Sequence, residues 1–331
     1  MENTCLELRD RCLKGQAWTP RQLDRALSVD DGRAFLSTVV ERLADLFEPQ
    51  LCDVYAELFQ QAIARIAPEL LARTRYFKGA NRAPADADKI YVLSRITLGA
   101  DVAVTSVLMD AAKRRYPSAE IYFVGPRKNY ELFEADPRIQ YFPAPYARGG
   151  SLRERLEASS ALWIDDGIVL DPDSRLTQLG LIRVCPDDRY FFFNSRNFGG
   201  EGDARLPDLA ATWSREVLGV SGASPYIAPQ QIDGGAADIT VSLGVGENPA
   251  KRIDDDFEKD LLHLLASSGR SVLVDLGGSE EERKRVEDAL KPGMRTHEGS
   301  FAHFAAEISR SKLFVGYDSG GRSLGLALDG V

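Results

Sequence analysis

The sequence has no apolar run approaching the roughly 18 residues needed to cross a bilayer. Its opening stretch, MENTCLELRDRCLKG, carries charges where a secretion signal needs an apolar segment. The chain is therefore expected to be cytoplasmic. Positive charge is in deficit: 41 Lys and Arg stand against 50 Asp and Glu, a formal net charge of −9. That excludes a general phosphate-backbone binder, and with it a nucleic-acid partner, while allowing one anionic ligand in a local basic pocket. Cysteine and histidine are scarce. Cys5, Cys12, Cys52 and Cys185 lack the close pairing of a zinc site, and Cys5 and Cys12 share a helical spacing that suits reduced, packed thiols. His263, His297 and His303 lie outside every motif, so no metal role is assigned to them. A GxGxxG fingerprint and a GK[ST] loop ending are also missing, which excludes an ordinary dinucleotide dehydrogenase and a Walker A nucleotide site.

What is present divides the chain by periodicity. Residues 1–78 read as helices throughout, with apolar residues at three-and-four spacing in Leu36, Val39, Val40, Leu43 and Leu46, and again in Val54, Leu58, Ala62 and Ile66. Thr19 followed by Pro20 marks a helix start. This region carries no catalytic constellation and reads as a helical cap or an assembly module. Residues 79–88, rich in Ala, Pro, Gly and Asp, read as a linker.

Strands then alternate with helices. Ile90–Leu93, Glu120–Val124, Ile139–Phe142, Ala161–Ile164 and Tyr190–Phe193 are the expected strands of a unit over 89–235. Ile239–Leu243, Ser271–Asp275 and Leu313–Gly316 are those of a second unit over 236–331, with helices near 254–268, 279–290 and 301–309. Such alternation implies βαβ units and mainly parallel sheets, with ligands at the strands' carboxyl edges.

Four segments carry chemistry. In SRITLGADVAVTSVLMDAAKRRYPSAEIYFVGP, Gly99 is expected to allow a tight turn that brings Asp101 to a helix N-terminus, where the dipole favours a carboxylate; taken alone, a plain helix-start role is the favoured reading of Asp101. VSLGVGENPAKR ends a Gly-rich turn in Lys251 and Arg252, placing a cation where a diphosphate would sit, although solvated Lys-Arg pairs are common. VDLGGSEEERKRVEDAL puts Glu280, Glu281 and Glu282 in a first helical turn, suited to the dipole or to ribose hydroxyls. LFVGYDSGGRSLGLAL opens a helix at Asp318, Ser319 and Gly320, whose amides suit a phosphate; a capped turn is the bland alternative.

Taken together, in this order and spacing, the first, second and fourth of these segments resemble the ADP-heptose:lipopolysaccharide heptosyltransferase family from about Lys89 onward. The resemblance implies an α/β fold of two Rossmann-like domains of the GT-B type, here preceded by the all-helical region. It implies an inverting, metal-independent transfer of a sugar, heptose first among candidates, from a nucleotide-diphospho-sugar to a glycan or lipopolysaccharide-type acceptor. Asp101 corresponds to the general base; Lys251, Asp318, Ser319 and Gly320 match donor contacts, and the acidic ribose contact falls within Glu280, Glu281 and Glu282, with Glu281 as the candidate taken.

In 161–180, Asp171 and Arg175 are acceptor-side candidates, with a solvated loop as the plainer reading for most of that stretch. ADP-heptose is the implied donor, with no separate cofactor and no metal. A lipid-linked acceptor would bring peripheral membrane contact, and the helical region is a candidate for oligomerisation. Two features depart from the family pattern: Ala100 stands between Gly99 and Asp101, and Ser323 stands where the family often has His. The chain stops at Val331 where the family continues, so the second domain is expected to be incomplete. Two rivals follow: a catalytically impaired nucleotide-sugar-binding or scaffold protein, and another enzyme of the same fold such as a nucleotide-sugar epimerase.

Overall fold

The computed structural model describes residues 2–76, 82–144, 146–147, 149–197, 204–245, 251–253 and 255–317. Helical elements alone occupy residues 2–73, the principal ones being Glu2–Leu13, Pro20–Leu27 and Pro49–Ile66. Thr19 caps the second with a capping box to Gln22, and Pro20 takes the first helical position. Phe35, Leu43, Phe59 and Ile63 form the centre of this bundle's core, which is not closed on itself. Leu152, Leu156, Leu179, Leu181 and Ile182 complete it, so the helices share one core with the following α/β portion. Cys5 and Cys12 belong to that core, and all four cysteines are buried and unbridged.

Five parallel strands form the first sheet: β1 (Lys89–Leu93), β2 (Glu120–Gly125), β3 (Ile139–Pro143), β4 (Ile168–Asp171) and β5 (Tyr190–Phe192), in the order β3-β2-β1-β4-β5. Four more form a second parallel sheet: β6 (Ile239–Ser242), β7 (Val272–Asp275), β8 (Arg295–His297) and β9 (Leu313–Gly316), in the order β8-β7-β6-β9. Strands such as Ile-Val-Leu-Asp in β4 and Ile-Thr-Val-Ser in β6 are buried at every position, as expected where helices cover both faces. Strand order reverses between β1 and β4 and between β6 and β9. Those are the two points where a crevice opens at the carboxyl edge of such a sheet.

The fourth strand differs from expectation. Ala161 ends the helix Leu152–Ala161, which Ser151 and Glu154 start with a reciprocal cap. Leu162 and Ile164 are buried, but their amides bond outside the sheet ladder, Leu162 to the Ser159 carbonyl and Ile164 to the Val184 carbonyl. The strand comes after Gly167, where a side chain would collide with Lys89: a Cβ there would lie 2.6 Å from the Lys89 carbonyl. Two apolar runs thus compete, and the one beyond the glycine enters the sheet. β8 was not expected at all, because Arg-Thr-His is short and polar and sits at a sheet edge.

The sheets touch through the helix Phe301–Arg310. Its Phe304, Ala305 and Ile308 join the core of the first sheet, and the Phe301 amide donates to Glu131 Oε2 at 3.0 Å.

Candidate functional site

The loop after β1 is built around Asp101. Gly99 does not supply the turn: it lies within the helical turn Leu98–Ala100, and Ile96 takes the left-handed conformation instead, with φ of 76°. That is costly for a β-branched residue and is held by its surroundings. The helix then opens with a π turn, Asp101–Thr105, before Ser106–Arg115. Asp101 thus stands at the helix start as expected, yet it is fully buried and does not face open space.

Each Asp101 oxygen is doubly bonded. Oδ1 accepts from the Arg95 amide at 2.6 Å and from Thr105 Oγ1 at 2.6 Å; Oδ2 accepts from Ser94 Oγ at 2.7 Å and Asn129 Nδ2 at 2.5 Å. Burial raises its pKa, opposed by the bonds from Asn129, Ser94, Thr105 and the Arg95 amide.

Asp171, at the end of β4, is not in a solvated loop. It is fully buried and accepts from the Ser174 amide at 2.6 Å, Thr177 Oγ1 at 2.6 Å and Tyr190 Oη at 2.5 Å. Burial pushes its pKa up to about 6. Ser94 links the two carboxylates, since its carbonyl accepts from Ser174 Oγ at 2.5 Å. Asp101 and Asp171 therefore belong to one buried polar network across the β1–β4 switch point. Arg175 leaves that network. Its guanidinium pairs with Glu41 at 3.5 Å and Asp45 at 3.2 Å, both in the helical region. Arg196 and Asp173 form a further ion pair beneath the same helices, with Arg196 Nε donating to the Ala44 carbonyl at 2.8 Å.

The second sheet's edge is more open. Lys251, after β6, is exposed, as is Glu281. Glu281 lines a depression with Arg252, Lys259, Lys284 and Arg285 between the helices Asp255–Ser267 and Glu280–Ala289. Its neighbour Glu282 turns the other way. It accepts from the Gly278 amide at 3.1 Å and fills the space where a Cβ on Gly244 or Gly277 would stand, at 2.5 and 2.3 Å. Of the acidic trio, Glu282 is therefore the one that sits between the glycine loops after β6 and β7. Asp318, Ser319 and Gly320 lie outside the described residues.

Between the two sheets lies a cleft of 570 Å³. Arg127, Lys128 and Glu131, after β2, form one wall; Asp275, Gly277, His297 and Ser300 are on the other. Asp275 and His297 end paired strands, and His297 Nδ1 lies 3.2 Å from Asp275 Oδ1. A carboxylate only accepts, so this contact puts the proton of a neutral ring on Nδ1. Nε2 is buried and has no partner among the described residues. Sequence reasoning set His297 aside; its register opposite Asp275 becomes visible only once β8 exists. Asp101 stands behind the first wall: its donor Asn129 belongs to the short helix Arg127–Tyr130, which also supplies Arg127 and Lys128 to the cleft.

The architecture has counterparts among solved structures. E. coli heptosyltransferase WaaC with ADP-2-deoxy-2-fluoro heptose superposes with a TM-score of 0.54 at 15% identity, over 73% of this chain and 86% of that one. A family 9 glycosyl transferase from Veillonella parvula gives 0.54 at 17% identity, over 75% and 80%. E. coli ADP-heptose lps heptosyltransferase II gives 0.50 at 17%, over 72% and 82%. The chain shares their fold. No family model matches the sequence, and no curated protein matches it either. Among the described residues no helix is long and apolar enough to cross a membrane.

Proposed function

We propose that this chain is a glycosyltransferase of the GT-B type, with an acceptor domain over 89–235 and a donor domain over 236–331. It would move a sugar, heptose first, from a nucleotide-diphospho-sugar to a glycan or lipid-linked hydroxyl with inversion. One observation carries the reading: two parallel sheets turn their carboxyl edges to a shared cleft, in a fold common to heptosyltransferases, one of them solved with ADP and with an ADP-fluoroheptose. The cleft's first wall presents the cations Arg127 and Lys128, which suit a diphosphate. Lys251 and the Asp318–Gly320 segment follow the two strands that flank the second switch point, β6 and β9. These cations and amides would carry the charge growing on the leaving diphosphate without a metal. Glu282, rather than Glu281, takes the ribose-facing position.

Asp101 is assigned as the base. Burial keeps its carboxyl more basic than usual, which favours proton abstraction. To act, the acceptor hydroxyl takes the place of Asn129 on Oδ2, because Asn129 is the donor that comes from the cleft wall. Asp101→Asn should then lower turnover by about a hundred- to ten-thousand-fold with donor affinity retained. Turnover at the wild-type rate with the ADP-heptose donor and its acceptor would remove Asp101 as the base.

A binding-only reading draws on the same sealed carboxylate. It would be supported by calorimetric binding of ADP-heptose with no transfer and no donor hydrolysis, and removed by any turnover above background.

A further inference from the structure

Another buried carboxylate, Glu258, ties together the loops that the proposed function assigns to the donor. It lies in the helix Asp255–Ser267 and is only 1% exposed. Glu258 Oε1 accepts from Arg252 Nε at 3.2 Å and from Tyr317 Oη at 3.0 Å, while Oε2 pairs with Arg285 Nη1. Arg285 continues the chain of contacts, donating from Nη2 to the Leu243 carbonyl at 3.1 Å. The Tyr317 ring also meets Phe257, with centroids 6.5 Å apart.

The partners come from three separate segments. Arg252 follows Lys251 on the loop after β6. Arg285 belongs to the helix Glu280–Ala289, whose first turn carries Glu282. Tyr317 follows β9 and precedes Asp318 in sequence. Glu258 borders the depression that Arg252 and Arg285 line and not the cleft between the sheets, and its carboxylate is spent on the protein. Desolvating one carboxylate and two guanidiniums is costly, and well-packed apolar residues would commonly serve stability as well or better. What the ion cluster supplies is a fixed register among its members.

We propose that Glu258 is a positioning residue for donor binding, a buried anchor that holds the segments after β6 and β9 and the helix after β7 in one arrangement. This rests on the reading of the second sheet as the donor side. Glu258→Gln keeps the shape and removes the charge, leaving Arg252 and Arg285 to repel each other. Tyr317→Phe removes one contact and no charge.

The test titrates ADP, UDP and GDP separately into wild type and variants by calorimetry, and follows amide exchange by mass spectrometry. For the diphosphate that binds wild type, Glu258→Gln should weaken affinity about tenfold or more, and Tyr317→Phe by a smaller factor. Glu258→Asp should recover part of the loss. Amide exchange should quicken in both 251–253 and 313–317 and stay unchanged in β1. Unchanged affinity in a variant that melts cooperatively would overturn the proposal. So would faster exchange spread evenly over the chain, which is the mark of a purely structural role. If Glu258→Gln does not fold, Tyr317→Phe decides by the same two measurements. Failure of all three diphosphates to bind wild type would sink the donor reading itself. The exchange pattern would then still show whether Glu258 couples the two segments.

Discussion

The two carboxyl edges that face each other in this molecule are built in opposite ways. At the first, Ser94, Asp101 and Asp171 have no exposed surface, Asp173 is 2% exposed, and the helical region lies over the edge through Arg175, Arg196 and Tyr55, whose hydroxyl donates to the Gln178 carbonyl at 2.9 Å. At the second, glycines border the strand ends, and Lys251 and Glu281 are exposed. Polar groups are present on both sides, but on the first they lie buried inside the protein and on the second several of them reach the surface. In the proposed reading a ligand meets exposed groups at the second edge. On the first it must replace an existing hydrogen bond, and Asn129 on Asp101 is the replaceable one because it reaches in from the cleft wall.

The strongest way to break this contrast is to open the sealed edge. Arg196 and Asp173 are both almost wholly buried, with side chains 6% and 1% exposed. Arg196→Ala leaves the Asp173 carboxylate with Ser195 Oγ at 2.6 Å and no direct ion pair. A buried pair broken from one side costs about 3–5 kcal/mol. Chemical denaturation should show a loss of that order, whereas Lys251→Ala on the open edge should shift stability by no more than about 0.5 kcal/mol. Equal effects at the two sites would mean that the difference in burial has no energetic counterpart.

Asp171 sharpens the same point through pH. Its ordinary pKa of 3.8 is pushed up to about 6 by burial. Between these values the folded protein keeps a proton that the unfolded chain has released. Stability contributed by this group therefore falls as pH rises from about 4 to about 6, by roughly 3 kcal/mol in all. Asp171→Asn cannot titrate, so wild type should gain on the variant as pH is lowered through that window. Parallel stability curves from pH 4 to 7.5 would show that Asp171 is not the buried acid described.

Much of this arrangement is legible in sequence, and what is not has identifiable causes. Parallel strands covered on both faces leave continuous apolar runs, so β1, β2, β6 and β7 stand out, as does the helix start at Asp101. The fourth strand does not, because Leu162–Ile164 is as apolar as Ile168–Leu170 and the helix cap at Ser151 is needed to choose between them. The edge strand β8 has no apolar run, and without it His297 has no reason to be near Asp275. Whether Asp101 is buried depends on Asn129, 28 residues away, and the fate of Arg175 depends on Asp45, 130 residues away. Local pattern gives a residue's place in an element; its partners come from chain separations that no local pattern encodes.

Arg175 is the mildest test and discriminates between two roles. As an acceptor contact it would reach into the cleft; in the structure it instead spans to Glu41 and Asp45, with side chains 31% and 52% exposed against 20% for Arg175. Partly exposed pairs of this kind are worth less than about 1 kcal/mol. Arg175→Ala should therefore cost little stability, quicken amide exchange near residues 41–45, and leave the acceptor KM unchanged. A raised acceptor KM with exchange unaltered would return Arg175 to the acceptor side. It would also mean that the helical region lies over the first edge without using this residue to hold on.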